Sequence, residues 1–277
     1  EEWPDIAWAA DHWGVAGVNT ADPSGPTLHL LDGNFARVSS ELLAREPFSR
    51  PTVAAVSGRF RMALSWQVDH LRTVEFEVAA GRTSLNVTEH DADGWRGRLA
   101  TVAIDGTGLT IGAGPDGLLA KTRVTGMEPT RTETLPLVGA HSPALGYDRL
   151  LDRPLVSYVD DEGVHLRALA PNGLALAEEA WHVAPPGAVD PSIAVGDTEY
   201  LVAYSYMDRV WVSRVSRLGE GVRVGAALTG GPGRASEAQV IATIPGTYAL
   251  VWTDQPPGGA PRARLSIGAL GCAFESP

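Results

Sequence analysis

His141, Asp190 and Glu237 stand 49 and 47 residues apart, each shortly ahead of a short apolar run. An imidazole between carboxylates titrates near neutral pH and can give or take a proton, so this trio could serve acid–base chemistry. The same three side chains could equally be solvated loop residues. Arg50 and Arg98 occupy comparable places. A guanidinium there can pair with those acids or grip a ligand carboxylate. Trp95, within "EHDADGWRGR" at 89–98, offers an indole that can stack on a sugar or anchor a partner. In the same stretch Asp91-x-Asp93-Gly94 matches the opening of a calcium loop, but the later spacing and the closing Glu are missing. Arg50, Trp95, Arg98, His141, Asp190 and Glu237 are thus the candidate ligand-binding residues, with no residue assigned to catalysis or to a metal.

A second set is formed by Asp22, Asp69, Asp116, Asp160, Asp208 and Asp254, each of which follows a short apolar run. An Asp at a turn accepts a hydrogen bond from a backbone N–H two residues on, worth about 1 kcal/mol net. Six converging carboxylates could instead collect Ca²⁺, which takes roughly six to eight oxygen ligands. Repetition in every unit suits the turn role better, because a site usually breaks symmetry. No cofactor is expected, and Ca²⁺ is the one cation the pattern would suit.

Residues so far apart need a repeating framework to gather them. The runs "WPDIAWAA", "RPTVAAVS", "LATVAIDG", "SPALGYDR", "DPSIAVGD" and "EAQVIATI", aligned on Pro4, Pro51, Ala100, Pro143, Pro191 and Ala238, recur at spacings of 47, 49, 43, 48 and 47. Internal repeats with this period mark stacked architectures. Within each unit a second apolar run follows, as in "PLVSYVD", "YLVAYSY" and "YALVWTD", then an alternating third and a more polar fourth. Short apolar runs bounded by turn residues read as strands. Gly33, Gly81, Gly126, Gly173, Gly219 and Gly268 separate the third and fourth runs, as hairpin turns require. "SSELLARE" at 39–46 is the one helix-like run, and it reads better as a fourth strand with its loop. Trp66, Tyr158, Tyr204 and Trp252, on the second runs, are expected between neighbouring sheets.

Six four-stranded antiparallel meanders resemble a six-bladed β-propeller, and "GTYALVWTD" and "DTEYLVAYSYMD" resemble the "LVxW" repeats of bacterial propeller proteins. The resemblance implies an all-β single domain over 1–277. Its blades would fall near 1–47, 48–96, 97–139, 140–187, 188–234 and 235–277. It also implies that the blade entrances and the loops between second and third strands emerge on one face, around a central channel.

The formal charge of −11 and the absence of a basic run argue against nucleic acid and against a polybasic membrane contact. No stretch of apolar residues is long enough to span a bilayer as a helix. The single cysteine, Cys272, excludes an intrachain disulfide. Neither G-x-S-x-G, H-E-x-x-H nor a P-loop occurs. Lys121 is the only lysine, which with the Ala and Gly content suggests a GC-rich bacterial genome. A secreted, periplasmic or cell-surface bacterial protein is expected. The leading expectation for function is a non-catalytic propeller that binds a protein, glycan or small ligand. The alternative is a sugar- or lactone-directed hydrolase or lyase with carboxylates and His141 at the channel mouth. A structural assembly unit is the third.

Overall fold

Val, Ile, Leu, Tyr and Trp suit a pleated surface buried on both faces, and the runs rich in them form strands. The computed structural model describes residues 2–9, 11–19, 25–34, 36–42, 51–56, 58–66, 72–79, 90–93, 96–124, 131–217, 221–223, 225, 227–229, 232–242 and 247–269. In chain order the first sheet holds β1 (Glu2–Ala9), β2 (His12–Asn19), β3 (Gly25–Asp32) and β4 (Arg37–Leu42). The second holds β5 (Thr52–Val56), β6 (Arg59–Trp66), β7 (Arg72–Ala79) and β8 (His90–Asp93). The third holds β9 (Arg96–Ile104), β10 (Thr107–Gly114), β11 (Gly117–Val124) and β12 (Arg131–Leu135). The fourth holds β13 (His141–Asp148), β14 (Arg153–Asp160), β15 (Gly163–Leu169) and β16 (Leu176–Ala184). The fifth holds β17 (Val189–Val195), β18 (Glu199–Tyr206), β19 (Arg209–Ser216) and β20 (Val222–Arg223). The sixth holds β21 (Arg234–Ala242), β22 (Thr247–Gln255) and β23 (Arg262–Ala269). Within every sheet, strands pair in sequence order. The fold class is the expected all-β, six-bladed β-propeller of antiparallel blades.

Two local expectations change, and a third falls outside the described residues. Gly268 lies inside β23 opposite Tyr248 rather than at a turn. The expected last strand, with Cys272, lies outside the described residues. Part of "EHDADGWRGR" is not a loop, because His90–Asp93 pairs with Arg72–Glu75 as β8.

The chain falls into two compact units, residues 1–141 with 171–175, and residues 142–170 with 176–277. In the second unit β18 is buried along almost its whole length. Tyr200, Val202 and Tyr204 on one side pack with Leu155, Val164 and Leu166. Leu201 and Ala203 on the other pack with Val240, Tyr248 and Leu250. A strand covered on both faces needs a continuous apolar run, which is why "YLVAYSY" does not alternate. Each such side chain contributes roughly 1.5–3 kcal/mol on burial. Tyr158 and Tyr204 are core residues as expected, and Trp252 packs half-buried against its cluster.

Neighbouring sheets are also latched near the start of their first strands. In the first unit Asp5 Oδ2 accepts from Thr52 Oγ1 and from the Val53 N–H, both at 2.9 Å. In the second unit Ser192 Oγ accepts from the Val240 N–H at 3.0 Å and donates to Gln239 Oε1 at 3.2 Å. Asp5 and Ser192 each follow the proline on which the repeats align. At the other end of β13, Asp148 is fully buried and receives Arg217 Nε at 2.8 Å and Tyr200 OH at 2.7 Å. Arg217 Nη2 donates to Asp148 Oδ1 as well, and Arg153 Nη2 donates to Tyr200 OH at 2.9 Å.

Candidate functional site

The first strands of the blades carry a recurrent backbone irregularity. Pairing breaks register between Glu2 and Asp5, between Val189 and Ser192, and between Ser236 and Gln239. In the third sheet Gly112 faces Leu99 while Ala113 faces Arg96. Gly97 at φ 67°, Asp190 at 53° and Glu237 at 56° lie within these breaks in the left-handed region, and Ser142 near the start of β13 shares that conformation at 50°. Such bulges re-aim a side chain and gather at functional rims. Gly97 adopts the conformation freely, whereas Ser142, Asp190 and Glu237 hold it at a cost of about 1–3 kcal/mol each.

Asp190 and Glu237 are therefore equivalent residues of successive blades, carried at the bulged starts of β17 and β21. The Ser192 latch to Gln239 and Val240, two to three residues further along both strands, sets the two bulges side by side. Thr253, which faces Ser236 beside Glu237 across the β21–β22 pair, donates its hydroxyl to Glu237 Oε2 at 3.1 Å. That bond fixes one rotamer of the Glu237 carboxylate.

The β18–β19 hairpin projects from the same end, since Ser205 near its tip faces Val189. Its two-residue loop is Met207–Asp208, with φ 50° and 58°. Two successive positive φ values make a type I′ turn, which normally takes Asn-Gly or Asp-Gly. The tip is fixed to β21: the Ala235 N–H donates to the Asp208 carbonyl at 2.8 Å. Arg234 Nε also lies 3.4 Å from Asp208 Oδ1. That ion pair is well exposed and contributes little to stability. Behind the tip the Trp211 indole N–H donates to the Tyr206 carbonyl at 3.0 Å, and the two rings meet edge-on. Met207 stands 73% exposed.

The six candidates from sequence fare differently. Asp190 and Glu237 occupy equivalent backbone positions at the starts of neighbouring first strands. His141 is exposed at the start of β13 and groups with the first unit, and the left-handed residue is its neighbour Ser142. Arg98 lies half-buried in β9, one residue past the bulge glycine, because the third blade's true alignment is offset from Ala100. Its charge acts on Asp5. Burial, the largest influence, pushes the Asp5 carboxyl up, against the Val53 N–H, the Thr52 hydroxyl, the Ile6 N–H and Arg98. Arg50 and Trp95 lie outside the described residues, as do Asp22 and Asp69. Of the remaining repeated Asp residues, Asp160 makes the expected turn bond, accepting from the Glu162 N–H at 2.9 Å. Asp160 also meets His165 Nε2 at 3.0 Å. Asp208 is itself a turn residue, and Asp254 sits within β22 paired to Arg264 at 3.1 Å. Among the described residues no group of three or more His, Cys, Asp or Glu is arranged to hold a metal ion.

Sequence reasoning missed Met207. The apolar run "YLVAYSY" ends at Tyr206, and the usable signal was a two-residue hairpin loop without glycine. Chemically, two carboxylates on adjacent strands can divide proton transfer, one giving a proton to a leaving oxygen while the other acts on water.

No family model and no curated protein matches the chain. Among solved structures it is similar to a Trypanosoma rangeli sialidase in complex with sialic acid, at 9% identity and a TM-score of 0.65. That match covers 98% of this chain and 54% of the sialidase. The chain is also similar to a protein of unknown function from Dyadobacter fermentans, at 10% identity and a TM-score of 0.63, over 96% of this chain and 93% of that one. A third similar structure is a thermostable family-43 glycoside hydrolase, at 11% identity and a TM-score of 0.55, over 99% and 92% of the two chains. At these identities the likeness establishes the β-propeller fold. It also corrects the leading expectation from sequence, a non-catalytic binding propeller: the similar structures named for an activity are enzymes, and that reading is set aside.

Proposed function

We propose that the protein is a glycoside hydrolase acting on a neutral sugar, with Asp190 and Glu237 as its pair of reacting carboxylates. One observation carries the reading: successive blades hold an acid in a strained left-handed conformation at the bulged start of adjacent strands. Strain of this kind is kept where a side chain must be aimed. Water and a glycosidic oxygen are what a carboxylate pair acts on. The enzymes of similar fold, a family-43 glycoside hydrolase and a sialidase, support a sugar substrate. A neutral sugar fits better than an anionic one, because Asp190, Glu237 and Asp208 share one rim and the chain carries a net charge of −11. The "YLVAY" and "YALVW" outlines support a place among bacterial LVxW-type propellers, with a secreted, periplasmic or cell-surface location.

The test is turnover of aryl glycosides of neutral pyranoses and furanoses, alongside an aryl sialoside. At least one neutral glycoside is expected to be cleaved. Asp190→Asn and Glu237→Gln should each lower kcat by about 10²–10⁴-fold, the range for a positioned acid or base. Full activity in either variant would contradict the assignment.

A further inference from the structure

Among the described residues, the β18–β19 hairpin is the one with two successive non-glycine residues at positive φ, and this bears on the site. Its loop puts a methionine, 73% exposed, into a left-handed turn position that Asn or Gly fills without strain. Nothing in the turn itself calls for methionine. The Ala235 N–H bond to the Asp208 carbonyl ties the tip to the strand that carries Glu237. The tip also emerges opposite the strand that carries Asp190. The tip is thus held at the end of the sheet where both acid-bearing strands begin, and the Tyr206 and Trp211 rings meet edge-on next to it in the same hairpin. A sugar ring offers polar edges and an apolar C–H face. Carboxylates serve the first, and a flexible, polarisable apolar side chain serves the second.

We propose that Met207 is a substrate-binding, specificity-determining residue that covers the apolar face of the sugar bound at Asp190 and Glu237. The inference rests on the hydrolase reading above. It predicts preference for sugars with an unbroken C–H face on one side of the ring.

The test uses Met207→Asn, Met207→Leu and the wild-type chain, with steady-state kinetics on the cleaved glycoside and thermal melts side by side. Asn suits the left-handed turn position, so Met207→Asn should keep or raise the Tm while raising KM about 10-fold, with kcat changing much less. Met207→Leu should hold KM within about 2-fold of wild type, because it retains an apolar side chain of similar size. Met207→Asn with an unchanged KM, on a protein that does cleave the glycoside, would overturn this inference and leave the hydrolase reading standing. A wild-type protein that cleaves none of the panel would overturn both.

Discussion

Two buried or half-buried carboxylates respond to pH in opposite senses, and each sign follows from its neighbours. At Asp148 burial alone would raise the pKa. The Tyr200 hydroxyl, Arg217, the Leu151 N–H and the Arg217 charge outweigh it and leave the carboxyl below its ordinary value of 3.8. A depressed folded pKa contributes stability that is present above about 3.8 and lost as pH falls through the folded value. Asp148→Asn leaves Arg217 facing no charge in a buried site, so a loss of about 3–5 kcal/mol at neutral pH is expected. Denaturant midpoints of variant and wild type should converge in acid. Asp5 is the reverse case: its folded pKa is raised above 3.8, so its contribution is largest in acid and declines as pH rises through the folded value. Asp5→Asn should therefore improve relative to wild type as pH rises above 3.8, read from the same unfolding curves.

At the scale of elements, the bulged first strand does two jobs at once. It aims the residue before the alignment proline, and the next residue latches the following sheet. Ser192→Ala removes the acceptor of the Val240 N–H, and a buried donor left without its partner costs about 1–3 kcal/mol. The loss should appear as a lower Tm. Ser142→Gly makes the complementary case. It relieves a left-handed Ser, so stabilisation of up to about 1 kcal/mol is expected without loss of glycoside cleavage.

The strands of both units were legible from sequence because burial on two faces demands long apolar runs, as in β14 and β18. The bulges were not, since Asp190, Glu237 and Ser142 carry no shared residue type. Only the paired register exposes their φ values. The Asp148–Arg217 contact joins residues 69 apart, and no local pattern announces it. Blade three was misaligned for a physical reason: its bulge falls on Gly97, so Ala100 took the place of Arg98 in the apolar pattern.

For the whole molecule, a propeller of repeated meanders makes most residues equivalent. Function then rests on the positions where equivalence fails. Asp190 and Glu237 are acids where the neighbouring blades carry Ser142 and Gly97, and Met207 sits in a turn built for smaller residues. Similarity to a sialidase and a family-43 hydrolase at 9% and 11% identity establishes the framework and says nothing of the residues on its rim. The framework was readable from the period of the sequence. The site was readable only in part, since His141 precedes the left-handed position, which Ser142 holds. The most direct measurement is release of aglycone from neutral aryl glycosides by the wild-type chain, compared with Asp190→Asn and Glu237→Gln of matched Tm. Cleavage by the wild type, cut by at least about 10²-fold in both variants, is the predicted result. Cleavage that survives both substitutions, or none by the wild type, would contradict the account.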